Sequence, residues 1–186
     1  MKRFGLWVVA LGTLLTAQGC AALATSSRSG REPLPHFSQV DAHIYRGAQP
    51  TTEGYQRLAA LGVKTVIDLR LEGREAREER QAVEALGMRW VHLPMHAFWR
   101  PSDAQIREFL KIVSDPAAQP VFVHCRQGRN RTGLFIAIYR IVHDAWMPAR
   151  AYAEATSLGL SPWNTVARHI LFREAQRKFT AGSTAG

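Results

Sequence analysis

The chain predicts a single α/β domain, on three observations. Short runs rich in β-branched and aromatic residues alternate with amphipathic runs, the pattern of a layered sheet-and-helix structure. The length of 186 residues and the 46% hydrophobic content suit one substantial core rather than two. One run, Thr132 to Val142, is apolar nearly all round, as a helix buried against a sheet must be.

Taken in order, the chain opens with Lys2 and Arg3, an apolar stretch from Leu6 to Leu15, and small residues up to Cys20. This is the pattern of an export signal, too short to be a comfortable membrane-spanning helix. Ala17-Gln18-Gly19-Cys20 has the form of a lipobox, so residues 1–20 are expected to be a signal peptide and Cys20 the lipidated N-terminus. An exported, membrane-anchored lipoprotein follows, and Ala21 suggests the periplasmic side of the outer membrane. One acyl chain anchors only marginally, so several are implied. Residues 21–35, with Ser, Gly and Pro throughout, read as a tether, and 36–180 as the folded domain.

Strands are predicted near Phe37 to Val40, Ile44 to Arg46, Thr65 to Leu69, Met88 to Leu93 and Val121 to His124. Thr51 or Thr52 caps a helix running to Gly62, and a charge-laced helix runs from Glu72 to Leu86, ending at Gly87. Its charges from Glu72 to Arg80 read as a solvated face. Ser102-Asp-Ala-Gln105 has capping-box spacing for a helix through Ile112, and Ser161-Pro162 starts a final helix toward Phe179. Residues 181–186 should be a frayed tail. Tyr139 and Trp146 read as packing residues, His143 as an ordinary helix histidine, and Asp68 with Arg70 as a structural ion pair.

The chemistry is concentrated in His124-Cys-Arg-Gln-Gly-Arg-Asn-Arg-Thr-Gly133. Between a β-rich run and the apolar helix, this segment must be a strand-to-helix turn, whose free N–H groups and helix dipole favour an anion. Gly128 lets the turn bend, and the N–H groups from Arg126 through Gln127, Gly128, Arg129 and Asn130 can cradle a phosphate. Cys125 would lie beneath the phosphorus in a positive field that favours the thiolate. Arg131 closes the turn and can grip two phosphate oxygens through its planar fork, more tightly as charge spreads over them. The Thr132 hydroxyl can donate to sulfur and ease its departure. Given one cysteine, the five further fixed residues would arise by chance on the order of once in a million.

His-Cys-x-x-Gly-x-x-Arg-Thr-Gly resembles the signature of the cysteine-dependent protein tyrosine and dual-specificity phosphatases. Tyr45-Arg-Gly-Ala-Gln-Pro50, Lys64-Thr-Val-Ile-Asp-Leu-Arg70 and a Pro-containing loop before the signature strand resemble the small atypical dual-specificity branch, including bacterial members. The resemblance covers roughly residues 36 to 175. It implies a central, mostly parallel sheet flanked by helices, and a phosphomonoester hydrolase working through a cysteinyl-phosphate on phosphotyrosine, phosphoserine or multiply phosphorylated small molecules such as inositol phosphates. Family members of the inositide-directed and atypical plant and fungal kind carry lysines matching Arg126 and Arg129, which implies contacts to additional phosphates. The family also uses an aspartate as general acid ahead of the helix preceding the signature strand. Here no aspartate stands ahead of Pro101, which leaves Asp103 and His96. Asp103 is taken as the acid, against a second reading as a first-turn residue favoured by the helix dipole.

A non-catalytic phosphate-binding module on the same fold is the alternative, with rhodanese-like sulfur transfer behind it. No cofactor and no metal are expected, because the loop itself supplies the positive charge. The 24 basic against 15 acidic side chains give a net charge of +9, and loss of Lys2 and Arg3 leaves the chain basic. That suits a phosphorylated substrate and a membrane surface reached through the N-terminal lipid. Nucleic acid is not expected as a partner, since the basic residues are dispersed and no recognition motif is present. A monomer is expected. With Cys20 acylated, Cys125 would have no internal disulfide partner.

Overall fold

A computed structural model describes residues 30–97 and 99–183. The export signal, Cys20 and the first part of the tether lie outside the described residues, as does the end of the tail. Five strands form one sheet in the order β1-β2-β5-β3-β4, with β1 (Ser38–Gln39), β2 (Ile44–Ala48), β3 (Thr65–Asp68), β4 (Arg89–His92) and β5 (Val121–Cys125). All pairs but β1·β2 are parallel, which fits the predicted mostly parallel sheet. Strand β5 lies in the middle, is buried along its whole length and ends at Cys125. Its registers place Cys125 beside Ala48 of β2 and His124 beside Asp68 of β3. The C-terminal edge of a parallel sheet is where such folds place their ligands, and the signature loop begins there.

Six helices cover the sheet: α1 (Thr52–Ala60), α2 (Arg74–Ala85), α3 (Asp103–Val113), α4 (Asn130–Val142), α5 (Pro148–Ser157) and α6 (Thr165–Ser183). Thr51 caps α1 by accepting the Gly54 N–H, and Ser102 with Gln105 closes a full capping box on α3. The predicted all-round apolar helix is α4, whose residues from Thr132 to Tyr139 are all buried. It packs against α3 through an edge-to-face pair, Phe109 on Phe135, with centroids 4.8 Å apart. Tyr139 is buried, and Trp146 lies between Arg140 and Arg150, with guanidinium carbons 4.4 and 3.7 Å from its ring centroid. His143 ends α4, stacked on Tyr139 and hydrogen-bonded to Asp144.

Three features differ from the sequence-based expectations. Helix α5 has no predicted counterpart, although Pro148 sits at its first position, where proline is preorganised for a helix. It packs on α4 and α6, and Arg140 of α4 holds Glu154 of α5 through two nitrogens at 2.8 and 3.1 Å. The last helix starts at Thr165, not at Ser161, because Asn164 supplies the cap by accepting the Ala167 N–H at 3.0 Å. It also continues to Ser183, past the predicted tail boundary at Ala181. The third difference is in α2, where Ala76, Glu79 and Val83 form its buried stripe at helical spacing, so the charge run is not wholly a solvated face.

Because α4 carries the loop on its N-terminus, its packing on α3 is a direct test of how the site is supported. Phe135→Ala removes a fully buried ring and is expected to cost about 3–5 kcal/mol. Urea unfolding should show a lower midpoint with an unchanged slope, provided the native fold is kept.

Candidate active site

The turn between β5 and α4 is held by backbone, not by side-chain bulk. Gly128 has φ +68, and a Cβ there would meet the Gly47 carbonyl carbon and oxygen at 2.5 Å and the Ala48 nitrogen at 2.6 Å. Only glycine fits both the left-handed conformation and the bare approach to β2. Arg46 of β2 secures the contact, its Nη2 donating to the Gly128 carbonyl at 2.7 Å. Arg46 is 2% exposed and was missed as a site residue by sequence reasoning. An arginine within a half-buried strand was its visible signal.

Cys125 is buried at the floor of the turn and is a free cysteine. Burial by itself would push its thiol up. The opposing contributions win: the Thr132 hydroxyl and amide, the Arg131 charge and the Gln127 amide together hold it below the ordinary cysteine range. The Thr132 Oγ1 is buried with no hydrogen-bond partner among the described residues, so its hydroxyl is uncommitted beside the thiol.

Ala97, Cys125, Arg126, Gln127, Asn130 and Arg131 line a pocket of about 170 Å³ above the thiol. Arg131 anchors one nitrogen, Nη1, on the carbonyls of Leu69 and Met95 at 3.2 and 3.4 Å. Its fork is thereby fixed between β3 and the loop that precedes α3. A second hollow of about 350 Å³, lined by Leu71, His96, Ala97, Trp99 and Arg131, shares Ala97 and Arg131 with the first. The His96 and Trp99 rings lie 4.3 Å apart there.

The predicted loop residues do not all face this pocket. Arg126, Gln127 and Asn130 line it, whereas Asn130 also turns its Oδ1 to the Ser161 N–H at 2.8 Å, tying the loop to the segment after α5. Gly128 is backbone against β2. Arg129 packs along Gly159 and lines a different pocket, with His36, Phe37, Ser38, Arg46, Ser157 and Leu158. Asp103 stands apart from the residues lining either hollow at Cys125 or His96. As the first residue of α3 it accepts from Arg100 at 2.9 Å, Arg173 at 3.3 Å and Arg177 at 2.8 Å. These cations, Arg177 first, hold its carboxyl below the usual range, so it stays ionised where a general acid must carry a proton. The second reading of Asp103, as a helix-terminal residue, matches this placement.

Behind the loop lies a closed network of charge. His124 Nε2 meets Glu79 Oε1 at 2.6 Å, and the other Glu79 oxygen accepts from Arg70 and from the Tyr55 hydroxyl. Trp90 Nε1 adds a fourth donor at 3.3 Å, and Arg70 also grips both oxygens of Asp68. The Asp68–Arg70 pair is thus structural, as predicted, and Glu79 is its unforeseen third member. Burial opposes charge on His124, but Glu79 and Asp68 raise its pKa. Asp68, Glu79 and His124 are close enough to share a metal ion geometrically. The cation they hold is the Arg70 guanidinium, bonded to both carboxylates.

Residues 21–167 match the family model described as "DSP-PTPase phosphatase fused to NAD+ Kinase". The chain belongs to this family. It therefore falls within the cysteine-dependent dual-specificity phosphatase superfamily, in its atypical bacterial branch. It is 31% identical over 144 residues, 77% of this chain, to the dual specificity protein phosphatase TpbA of Pseudomonas aeruginosa strain UCBPP-PA14, and spans 63% of that protein's length. It is 31% identical to the inositol diphosphatase DSP1 of Oryza sativa subsp. japonica over 113 residues, 58% of this chain and 50% of that one. A crystal structure of P. aeruginosa TpbA, with its cysteine replaced by serine and in complex with pTyr, superposes with a TM-score of 0.63 at 27% identity. That match covers 81% of this chain and 94% of the crystallised one.

The depressed thiol makes a measurable prediction within this phosphatase loop. A lowered pKa means that the reactive thiolate is already populated below the ordinary cysteine value. The rate of Cys125 alkylation by iodoacetate against pH should therefore have its midpoint below that value, and Thr132→Val should move it upward.

Proposed function

We propose that the domain hydrolyses phosphomonoesters through a cysteinyl-phosphate. The observation that carries this is the Cys125 thiol held down beneath a pocket closed by Arg131. A loop that merely bound phosphate would have no use for a thiolate under its anion.

Cys125 Sγ attacks phosphorus as the ester P–O bond breaks, while Arg131 and the loop N–H groups take up the charge spreading over the three non-bridging oxygens. The departing oxygen needs a proton. His96, which lines the neighbouring hollow beside Arg131, is the donor in this reading, since three arginines hold Asp103 and it lies outside both hollows. Water then attacks phosphorus, the S–P bond breaks, the thiolate leaves toward the Thr132 hydroxyl, and His96 recovers the proton from the water.

For substrate, the relatives divide: a TpbA structure holds pTyr, and the rice relative is named an inositol diphosphatase. Arg126 lines the Cys125 pocket and Arg129 does not, so one extra charge and not two is available beside the bound phosphate. One charge-assisted contact contributes about 1.5 to 3 kcal/mol, or roughly ten- to a hundredfold. This supports multiply phosphorylated small molecules such as inositol phosphates ahead of phosphotyrosine peptides.

The placement of the enzyme follows from the N-terminal sequence: an exported lipoprotein anchored through Cys20, on the periplasmic face of the outer membrane. No helix among the described residues is long and apolar enough to cross a membrane.

Two experiments test these readings. Turnover of an aryl phosphate, a phosphotyrosine peptide and inositol phosphates should vanish in Cys125→Ser with ligand binding kept, and fall together with binding in Arg131→Ala. In Arg126→Ala, kcat/KM should drop roughly ten- to a hundredfold for inositol phosphates and much less for the aryl phosphate. Mass spectrometry of the protein from membranes should find an acylated N-terminus at Cys20, and an unmodified N-terminus downstream would refute the anchor.

A further inference from the structure

Arg46 raises a question that the catalytic loop does not answer. Its guanidinium is buried, one nitrogen is spent on the Gly128 carbonyl, and Nη1 has no hydrogen-bond partner among the described residues. No carboxylate pairs with it there. The acid whose field reaches it, Glu154, is already held by two nitrogens of Arg140. A buried cation lacking a close counter-charge is costly, as the strongly destabilising loss of one partner from a buried ion pair shows.

The same side chain lines a pocket of about 370 Å³ on the side of the loop that Arg129 faces. Arg129 lies on its wall with its stem against Gly159, where a Cβ would meet the Arg129 Cγ at 3.0 Å. His36, Ser38 and Ser157 add further polar groups, and no acidic residue is among those lining it. Two guanidiniums, an imidazole and two hydroxyls around one cavity form a donor set without an acceptor charge, which is the chemistry of an oxyanion site.

We propose that this pocket is a second phosphate site, taking inorganic phosphate or the phosphoryl group of a small monoester, separate from the pocket above Cys125. Its ligand would meet the Arg129 fork directly and lie within the field of the Arg46 guanidinium, whose Nη1 is itself closed to solvent. Because Arg46 also holds the Gly128 carbonyl, the site is coupled to the geometry of the catalytic loop. Phosphate here would compensate the buried charge and stiffen the turn.

The test needs no turnover, so it stands or falls apart from the proposed hydrolysis. Full-length protein is carboxymethylated at Cys125 with iodoacetate, which fills the catalytic pocket with a carboxylate, and is titrated with inorganic phosphate by calorimetry. One saturable site is expected to remain. Arg129→Ala, a change at an exposed side chain, should weaken it at least tenfold, and Arg46→Lys, which keeps the charge but loses the fork, should weaken it as well. Amide shifts of Gly159 and Ser157 should follow the titration. No saturable binding to the carboxymethylated protein, or binding untouched by Arg129→Ala, would overturn the proposal. If Arg46→Lys fails to fold, the Arg129→Ala result and the amide shifts decide alone.

Discussion

The approach of Gly128 to the backbone of Gly47 and Ala48 is the constraint on which the rest of the site depends. Strand β5 delivers Cys125 to the edge of the sheet, and α4 must begin within five residues, at Asn130. A turn that short has a fixed path, and the path runs so close to β2 that no side chain fits between. Gly47 is itself confined, since a Cβ on it would meet the Phe122 ring at 2.9 Å. The loop is therefore braced from below by β2 and from behind by a core ring of β5. Its N–H groups are consequently in place before any ligand arrives, which is what electrostatic stabilisation of a transition state requires.

Bracing by backbone leaves charge to be managed by the surroundings. The turn concentrates positive charge in Arg126, Arg129 and Arg131, with Arg46 buried below. A separate buried acid lies one layer away, where Glu79 accepts from His124, Arg70, Tyr55 and Trp90. Four donors around one buried carboxylate each replace part of the hydration it loses in the interior. Removing one member would leave the others unpaired, so the cluster acts as a unit. Through His124, the neighbour of Cys125, it fixes the last turn of chain before the nucleophile. Tyr55 from α1, Glu79 from α2 and Trp90 from β4 meet there, so the elements flanking the sheet are joined to the strand that carries the chemistry.

How much of this was legible in the sequence follows from the range of the interactions involved. The loop, its thiol and its closing arginine are local, all within ten residues, so spacing alone exposed them. The strands, the capping box of α3, the Thr51 cap and the buried character of α4 are also local patterns of periodicity and end residues. Glu79 looked like one charge in a run of charges, because its partners come from residues 55, 70, 90 and 124, and no local pattern records a contact across 45 positions. Arg46 was hidden for the same reason, its partner lying 82 residues on. Helix α5 lacked a strong apolar stripe, and its burial through Ala151 and Ala155 against α4 and α6 depends on small residues that give little periodic signal.

Asp103 and Arg129 both lie off the pocket above Cys125, although the sequence groups them with it. Both lie in segments adjoining the catalytic pocket, and proximity in sequence made both look like site residues. Three arginines from α6 and from the turn before α3 hold Asp103, which makes it a clasp between those helices and keeps it charged. Arg129 points past Gly128 because that residue's left-handed φ turns the chain, sending successive side chains to opposite sides of the loop. Arg126 before the bend faces the nucleophile and Arg129 after it faces Arg46. The glycine that makes the cradle possible thus also divides its arginines between two pockets, and the charge that a linear reading assigns to one substrate is distributed over two anion-binding surfaces.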